Sequence, residues 1–170
     1  MVSQTEDFTG TTIANRFHIE SIIAEGATSV VYRAKHLNLD QTVAIKILKS
    51  NNPSLIQRFE QEAQILSGLD HKNLVKVLAF GSFDDPQQAR RTYMVMELLE
   101  GKSLKTILQE EKTISNQLVA AIAREICDAL SAVHDKGIVH RDLKPANIII
   151  INSNIENAEL KLIDFGHLIT

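Results

Sequence analysis

Two short stretches concentrate side chains capable of chemistry: His140-Arg141-Asp142-Leu143-Lys144-Pro145-Ala146-Asn147 and, after a gap, Asp164-Phe165-Gly166. Hard cations take oxygen ligands, which an Asp carboxylate and an Asn amide oxygen supply. A lone Asp in a loop is usually a turn residue or a cap, so it is the density of the run that marks it. Upstream, Glu62 falls at helical spacing between Phe59 and Leu66 on an apolar stripe, where a carboxylate needs a partner. The run Gly101-Lys102-Ser103 has the end of a Walker A loop, but Met96 stands where that loop needs its leading glycine, which excludes it. Cys127, the single cysteine, cannot form an internal disulfide; its neighbours Ile126 and Ala129 predict a buried, inert thiol.

These residues must be held by regular elements. β-branched and alternating residues predict strands over 17–24, 30–36 and 42–48, with two more over 74–82 and 91–98 separated by the turn residues Asp84, Asp85 and Pro86. Asn52-Pro53 is a helix start and Gly68 a stop. Five strands and this helix make a first lobe. Beyond the connector at Glu100-Gly101, Ser103 caps a short helix to about Gln109 and Ser115 a long one to about Asp135. The long helix carries Leu118, Ile122, Ile126, Ala129 and Val133 as one apolar stripe, with Gly137 at its end. An irregular segment over 138–147, a strand over 148–151, an Asn/Ser turn and a strand over 160–163 follow. Residues 1–15 are polar and small, and read as a flexible lead-in to a domain over 16–170.

Composition narrows the field. With 18 basic and 21 acidic residues, net charge −3, there is no basic surplus to suggest a nucleic-acid partner. No run approaches a membrane span, and the polar, acidic N-terminus is unlike a secretory signal, so the expected compartment is the cytoplasm.

The motif His140 to Asn147 with Asp164-Phe165-Gly166 closely resembles the eukaryotic-like (Hanks-type) serine/threonine protein kinase family. The resemblance implies an α+β two-lobe fold: a five-stranded antiparallel N-lobe sheet with one helix, hinged (16–99) to a mainly helical C-lobe whose start is 100–170. It implies Asp142 as the base for a substrate hydroxyl, and Asn147 and Asp164 as Mg2+ ligands. Lys144, two residues past the base, is where serine/threonine members place a lysine that meets the γ-phosphate of ATP. Val43-Ala44-Ile45-Lys46 matches the family's third-strand motif, so Lys46 would contact the α- and β-phosphates and pair with Glu62. The glycine loop maps to Ala24-Glu25-Gly26-Ala27-Thr28-Ser29-Val30-Val31, with Ala24 and Ser29 replacing glycines. Gly26 still permits close approach to phosphate. Tyr93 to Gly101 looks like the hinge, with Met96 guarding the back pocket and Glu97 and Leu99 offering backbone contacts to adenine. Val31, Ala44 and Ile149 match the residues that sandwich the ring.

After Gly166 the sequence continues for four residues, His167-Leu168-Ile169-Thr170. The resemblance therefore implies a chain that ends before the activation segment and the substrate-binding helices, with no phosphorylated partner for Arg141. Three functions follow as expectations. The first is an ATP- and Mg2+-dependent kinase acting on a Ser/Thr hydroxyl of a protein, present as a fragment; the others are a catalytically silent nucleotide-binding module and a module docking a partner that covers the incomplete C-lobe. Residues 1–170 alone are expected to lack protein kinase activity, and the long helix's stripe to lack a surface to pack on.

Overall fold

Period-two burial organises the first of two units. The computed structural model describes residues 7–111, 113–140, 142–152 and 159–164, and divides into one unit of residues up to 64 with 77–98 and another of residues 65–76 with the chain from 99 onward. In the first, β1 (Thr12–Ile13), β2 (Phe17–Glu25), β3 (Ser29–His36), β4 (Gln41–Leu48), β5 (Val77–Asp84) and β6 (Arg90–Glu97) form an antiparallel sheet in the order β1-β2-β3-β4-β6-β5. Val30, Tyr32, Ala34, Val43, Ile45, Ile47, Tyr93 and Val95 share one buried core. Residues directly opposite on paired strands share a face, so Val31, Lys46 and Met94 stand together on the other side, as do Ala44 and Met96. Helix α1 (Pro53–Ser67) starts where Asn52 Oδ1 accepts the Ser54 N–H at 2.9 Å.

The sheet has six strands, not the expected five, because the segment read as a lead-in supplies β1 at Thr12–Ile13. Phe8 is 5% exposed, and its ring meets Phe83 edge-on at 5.4 Å and Tyr32 at 6.3 Å. The Gly10 N–H donates to the Ile19 carbonyl and the Ile19 N–H to the Thr11 carbonyl, both at 2.9 Å. Two isolated apolar residues, Phe8 and Ile13, show no period in the sequence; they find the core only by pairing with β2. Residues 1–6 lie outside the described residues.

Between β5 and β6 the Asp85 side chain is fully enclosed. It accepts N–H bonds from Gln87 at 3.0 Å and Ala89 at 2.7 Å and pairs with Arg91 at 2.7 Å. Burial alone pushes the Asp85 carboxyl up, but the Ala89 and Gln87 amides and the Arg91 guanidinium outweigh it and hold it below the usual carboxylate value. That clamp fixes the hairpin.

The second unit holds β7 (Lys102–Ser103), α2 (Leu104–Glu111), α3 (Asn116–His134), a 3-10 turn (Pro145–Asn147), β8 (Ile148–Asn152) and β9 (Glu159–Leu162). Its sheet runs β7-β8-β9, and the two-residue β7 is an addition to the elements read from sequence. Residues 74–76, expected at the start of the fourth strand, belong here: Leu74 bridges Leu162, and the Val75 N–H donates to the Leu162 carbonyl at 3.0 Å. Leu74 and Val75 are both buried, which one strand facing one core cannot achieve with neighbours. Ser115 Oγ caps α3 through the Leu118 N–H at 3.2 Å, and Gly137 follows the helix with φ of 72°, a conformation that favours glycine.

Two expectations for α3 are corrected. Ile122, Ala129 and Val133 are buried as the helix packs on β9, so much of the stripe has a surface after all; Leu118 and Ile126 are half-buried. Cys127 is exposed rather than buried. It lies one position past Ile126, and each helical step turns the side chain by about 100°, off the packed stripe. The Asn/Ser turn lies outside the described residues beyond Asn152.

Gly101 enters β7 tight against β8: a Cβ there would run into the Ile150 carbonyl oxygen and stand 3.0 Å from Ile149 Cγ2. Gly101→Ala is expected to destabilise this unit by about 1–3 kcal/mol through overpacking against backbone that cannot yield. Chemical denaturation of the two proteins measures it; an unchanged midpoint would show that the strands part freely.

Candidate active site

In the first unit, β4 and α1 bring together the two charges that the sequence singled out. Lys46 Nζ lies 2.9 Å from Glu62 Oε1, with the side chains 13% and 5% exposed. The ammonium also stands 5.6 Å from the centroid of the Phe59 ring, which attracts a cation. Phe59 and Glu62 are three residues apart on α1, so one helix face supplies both. This answers why an acid occupies the apolar stripe: its partner comes from the sheet.

The β2–β3 hairpin beside Lys46 carries Ala24 opposite Val31 and closes with the Gly26 N–H on the Ser29 carbonyl at 2.9 Å. Ser29 is buried and Gly26 open, with only ordinary contact around an added Cβ. Ala44 is buried opposite Met96; Met96 and Glu97 are half-buried at the end of β6. Ile22 and Ile23, which the sequence reading passed over, are 45% and 49% exposed on β2 just before Ala24. The signal was there: consecutive isoleucines in one strand cannot both face the core. Both are exposed at the end of β2 where register shifts fall on either side of Ile22.

The second unit assembles the polar cluster. Lys144 Nζ lies 2.6 Å from Asp142 Oδ2, and the Asn147 amide nitrogen donates to the Asp142 backbone carbonyl at 2.9 Å and to its Oδ2 at 3.3 Å. The 3-10 turn makes this possible, because the Asn147 N–H bonds the Lys144 carbonyl at 2.9 Å and folds the buried amide back over Asp142. With the amide nitrogen engaged by Asp142, Asn147 Oδ1 is the oxygen left for a cation. Hydrogen bonding to Asp142, aided by the Asp142 and Asp164 charges, holds the Lys144 ammonium above its ordinary pKa against desolvation. Burial pushes the His140 imidazole down, so it is neutral near pH 7. Its Nδ1 accepts the Asp142 N–H at 3.3 Å.

Asp164 takes φ of 83°, a left-handed conformation that a non-glycine residue adopts at a cost. Such strain is held by surroundings: the preceding Ile163 N–H bonds the Asn147 carbonyl at 2.9 Å, tying Asp164's approach to the residue expected to share its metal. Two acidic or amide oxygens on one bonded framework fit a small hard cation. Leu99 and Ile149 are half-buried in this unit, Ile149 on β8 opposite Ser103. Arg141, Phe165 and Gly166 lie outside the described residues. No helix among the described residues is long and apolar enough to cross a membrane.

Comparison with known proteins identifies the family of the chain. The family described as "Protein kinase domain" matches residues 17–169. The chain is 35% identical over 165 residues to serine/threonine-protein kinase pkn3 of Myxococcus xanthus, covering 95% of this chain and 29% of that protein. It is 36% identical over 155 residues to serine/threonine-protein kinase PknL of Mycobacterium tuberculosis, covering 89% of this chain and 37% of PknL. A probable serine/threonine-protein kinase PknB of Corynebacterium glutamicum is 35% identical over 157 residues, 91% of this chain and 24% of that protein. The chain thus spans about a quarter to somewhat over a third of the length of these relatives. The match takes in both units and every site residue placed above, and the chain belongs to the protein kinase family, among its serine/threonine members.

Proposed function

We propose that the protein transfers the γ-phosphoryl group of Mg-ATP to a serine or threonine hydroxyl of a protein substrate. The observation that carries this reading is the Asp142 carboxylate held between Lys144 and Asn147. A carboxylate oriented by two donors is ready to accept a hydroxyl proton as the oxygen–phosphorus bond forms and the bond to the leaving ADP oxygen breaks. Lys144, kept protonated by Asp142, offers a cation to the charge that develops on the transferred group. Lys46, its direction set by Glu62, serves the α- and β-phosphates. Ala24, Gly26, Ser29, Val31, Ala44, Met96, Glu97, Leu99 and Ile149 serve the nucleotide in this reading. Asn147 and Asp164 hold Mg2+, which when bound neutralises phosphate charge. The cytoplasm, where ATP is present and a lone thiol stays reduced, is the compartment that fits.

Radiolabelled ATP with a generic basic protein tests this on the full-length protein. Label on Ser and Thr, lost when Mg2+ is chelated, is the expected result. Mg-dependent nucleotide binding with no label on any protein acceptor would favour the silent nucleotide-binding module instead.

A further inference from the structure

Ala24 and Ser29 replace two glycines of the nucleotide hairpin, and a lysine outside that hairpin engages it at both ends. Lys49 Nζ lies 2.7 Å from Glu25 Oε1, and the Lys49 N–H donates to the Thr28 carbonyl at 2.9 Å. The Lys49 carbonyl in turn accepts from Arg91 at 3.2 Å, and Arg91 is locked by the enclosed Asp85. Lys49 is thus fixed through its own backbone from both sides while its side chain, 21% exposed, reaches the hairpin.

Glu25 immediately precedes Gly26, the residue whose open backbone suits close approach of phosphate. An uncompensated carboxylate at that place repels a polyphosphate. At 53% exposure of Glu25, the ion pair contributes little to folding, since an exposed pair is screened by water. Its consequence falls on an anionic ligand, which meets less negative charge while Lys49 is paired with Glu25.

We propose that Lys49 is a positioning residue for the nucleotide: it neutralises Glu25 and pins the 25–29 hairpin so that its backbone can meet phosphate. The proposal rests on the Mg-ATP reading above. Neither residue is among those assigned above to the transferred group, so both act on nucleotide affinity rather than on the chemical step.

Titration calorimetry with Mg-ATP on the full-length protein tests it, alongside steady-state transfer. Lys49→Met is expected to weaken Mg-ATP binding about three- to tenfold at low salt, raising KM with kcat nearly unchanged. The loss should shrink in ~0.5 M salt, where charges are screened within a few ångströms. Glu25→Gln should bind at least as well as wild type, and adding it to Lys49→Met should restore affinity to within about twofold, since the charge to be neutralised is gone. Wild-type affinity in Lys49→Met, or a double variant as weak as the single one, would overturn the role of Lys49 while leaving the nucleotide reading intact. Absence of Mg-ATP binding by the wild type would instead overturn the nucleotide reading, and this proposal with it.

Discussion

Asp142→Ala in the full-length protein is expected to reduce phosphoryl transfer by about a hundredfold to ten-thousandfold, the usual contribution of a positioned general base, while Mg-ATP affinity stays within a few-fold of wild type. The separation follows from how Asn147 is held. Its amide donates to the Asp142 side chain, but also to the Asp142 backbone carbonyl at 2.9 Å, which no substitution at 142 removes. The Asn147 amide therefore keeps its orientation when the Asp142 carboxylate is gone. Lys144 loses its closest counter-ion and its raised pKa relaxes downward, yet an exposed lysine stays charged at neutral pH. Single-turnover transfer and calorimetry read the two effects separately. Transfer at the wild-type rate by the Ala variant would remove Asp142 from the base role; loss of nucleotide binding to the same degree as transfer would make it a structural residue.

The second large effect is expected at the Lys46–Glu62 pair, where stability and activity should come apart. Lys46→Met leaves the Glu62 carboxylate, 5% exposed, without its cation and the Phe59 ring without the charge above it. Breaking an enclosed pair from one side costs about 3–5 kcal/mol, and the loss is mainly the stranded charge. Glu62→Gln in the same chain removes that charge, so the double variant should regain most of the lost stability. Activity should not return. The double variant lacks the cation proposed for the α- and β-phosphates and is expected to remain at least about a hundredfold below wild type in kcat/KM. Thermal denaturation beside steady-state transfer checks both halves. A double variant that recovers transfer along with stability would show that the pair merely holds α1 in place.

What was legible in the sequence was short-ranged. Caps at Asn52 and Ser115, the alternation of β3 and β4, and the run from His140 to Asn147 each express a local backbone preference or a fixed local spacing. For the same reason Glu62 could be marked as an acid in need of a partner, since the helical period alone put it on the apolar stripe. Which residue answered it depends on the register of β4 against the rest of the fold, and from sequence only the family resemblance pointed to Lys46. Nothing local announced that Phe8 would enter the core, that Leu74 and Val75 would leave the first sheet to meet β9, or that Lys102 and Ser103 would pair with β8. These depend on partners distant in the chain, and a segment of two apolar residues carries no period to reveal its face.

The same limit separates the site's parts. The residue types of Asp142, Lys144, Asn147 and Asp164 are written in sequence order, whereas the direction of the Asn147 amide and the left-handed turn at Asp164 come from the packing around them. The sequence by itself determined the chemistry available, because side-chain identity sets charge, donors and acceptors. Only the tertiary structure decided which of those groups meet: Lys46 with Glu62 across sixteen residues, and Lys49 with Glu25 across twenty-four. Pairing at such separations is set by the closure of the whole sheet, a cooperative outcome that no local window of sequence contains.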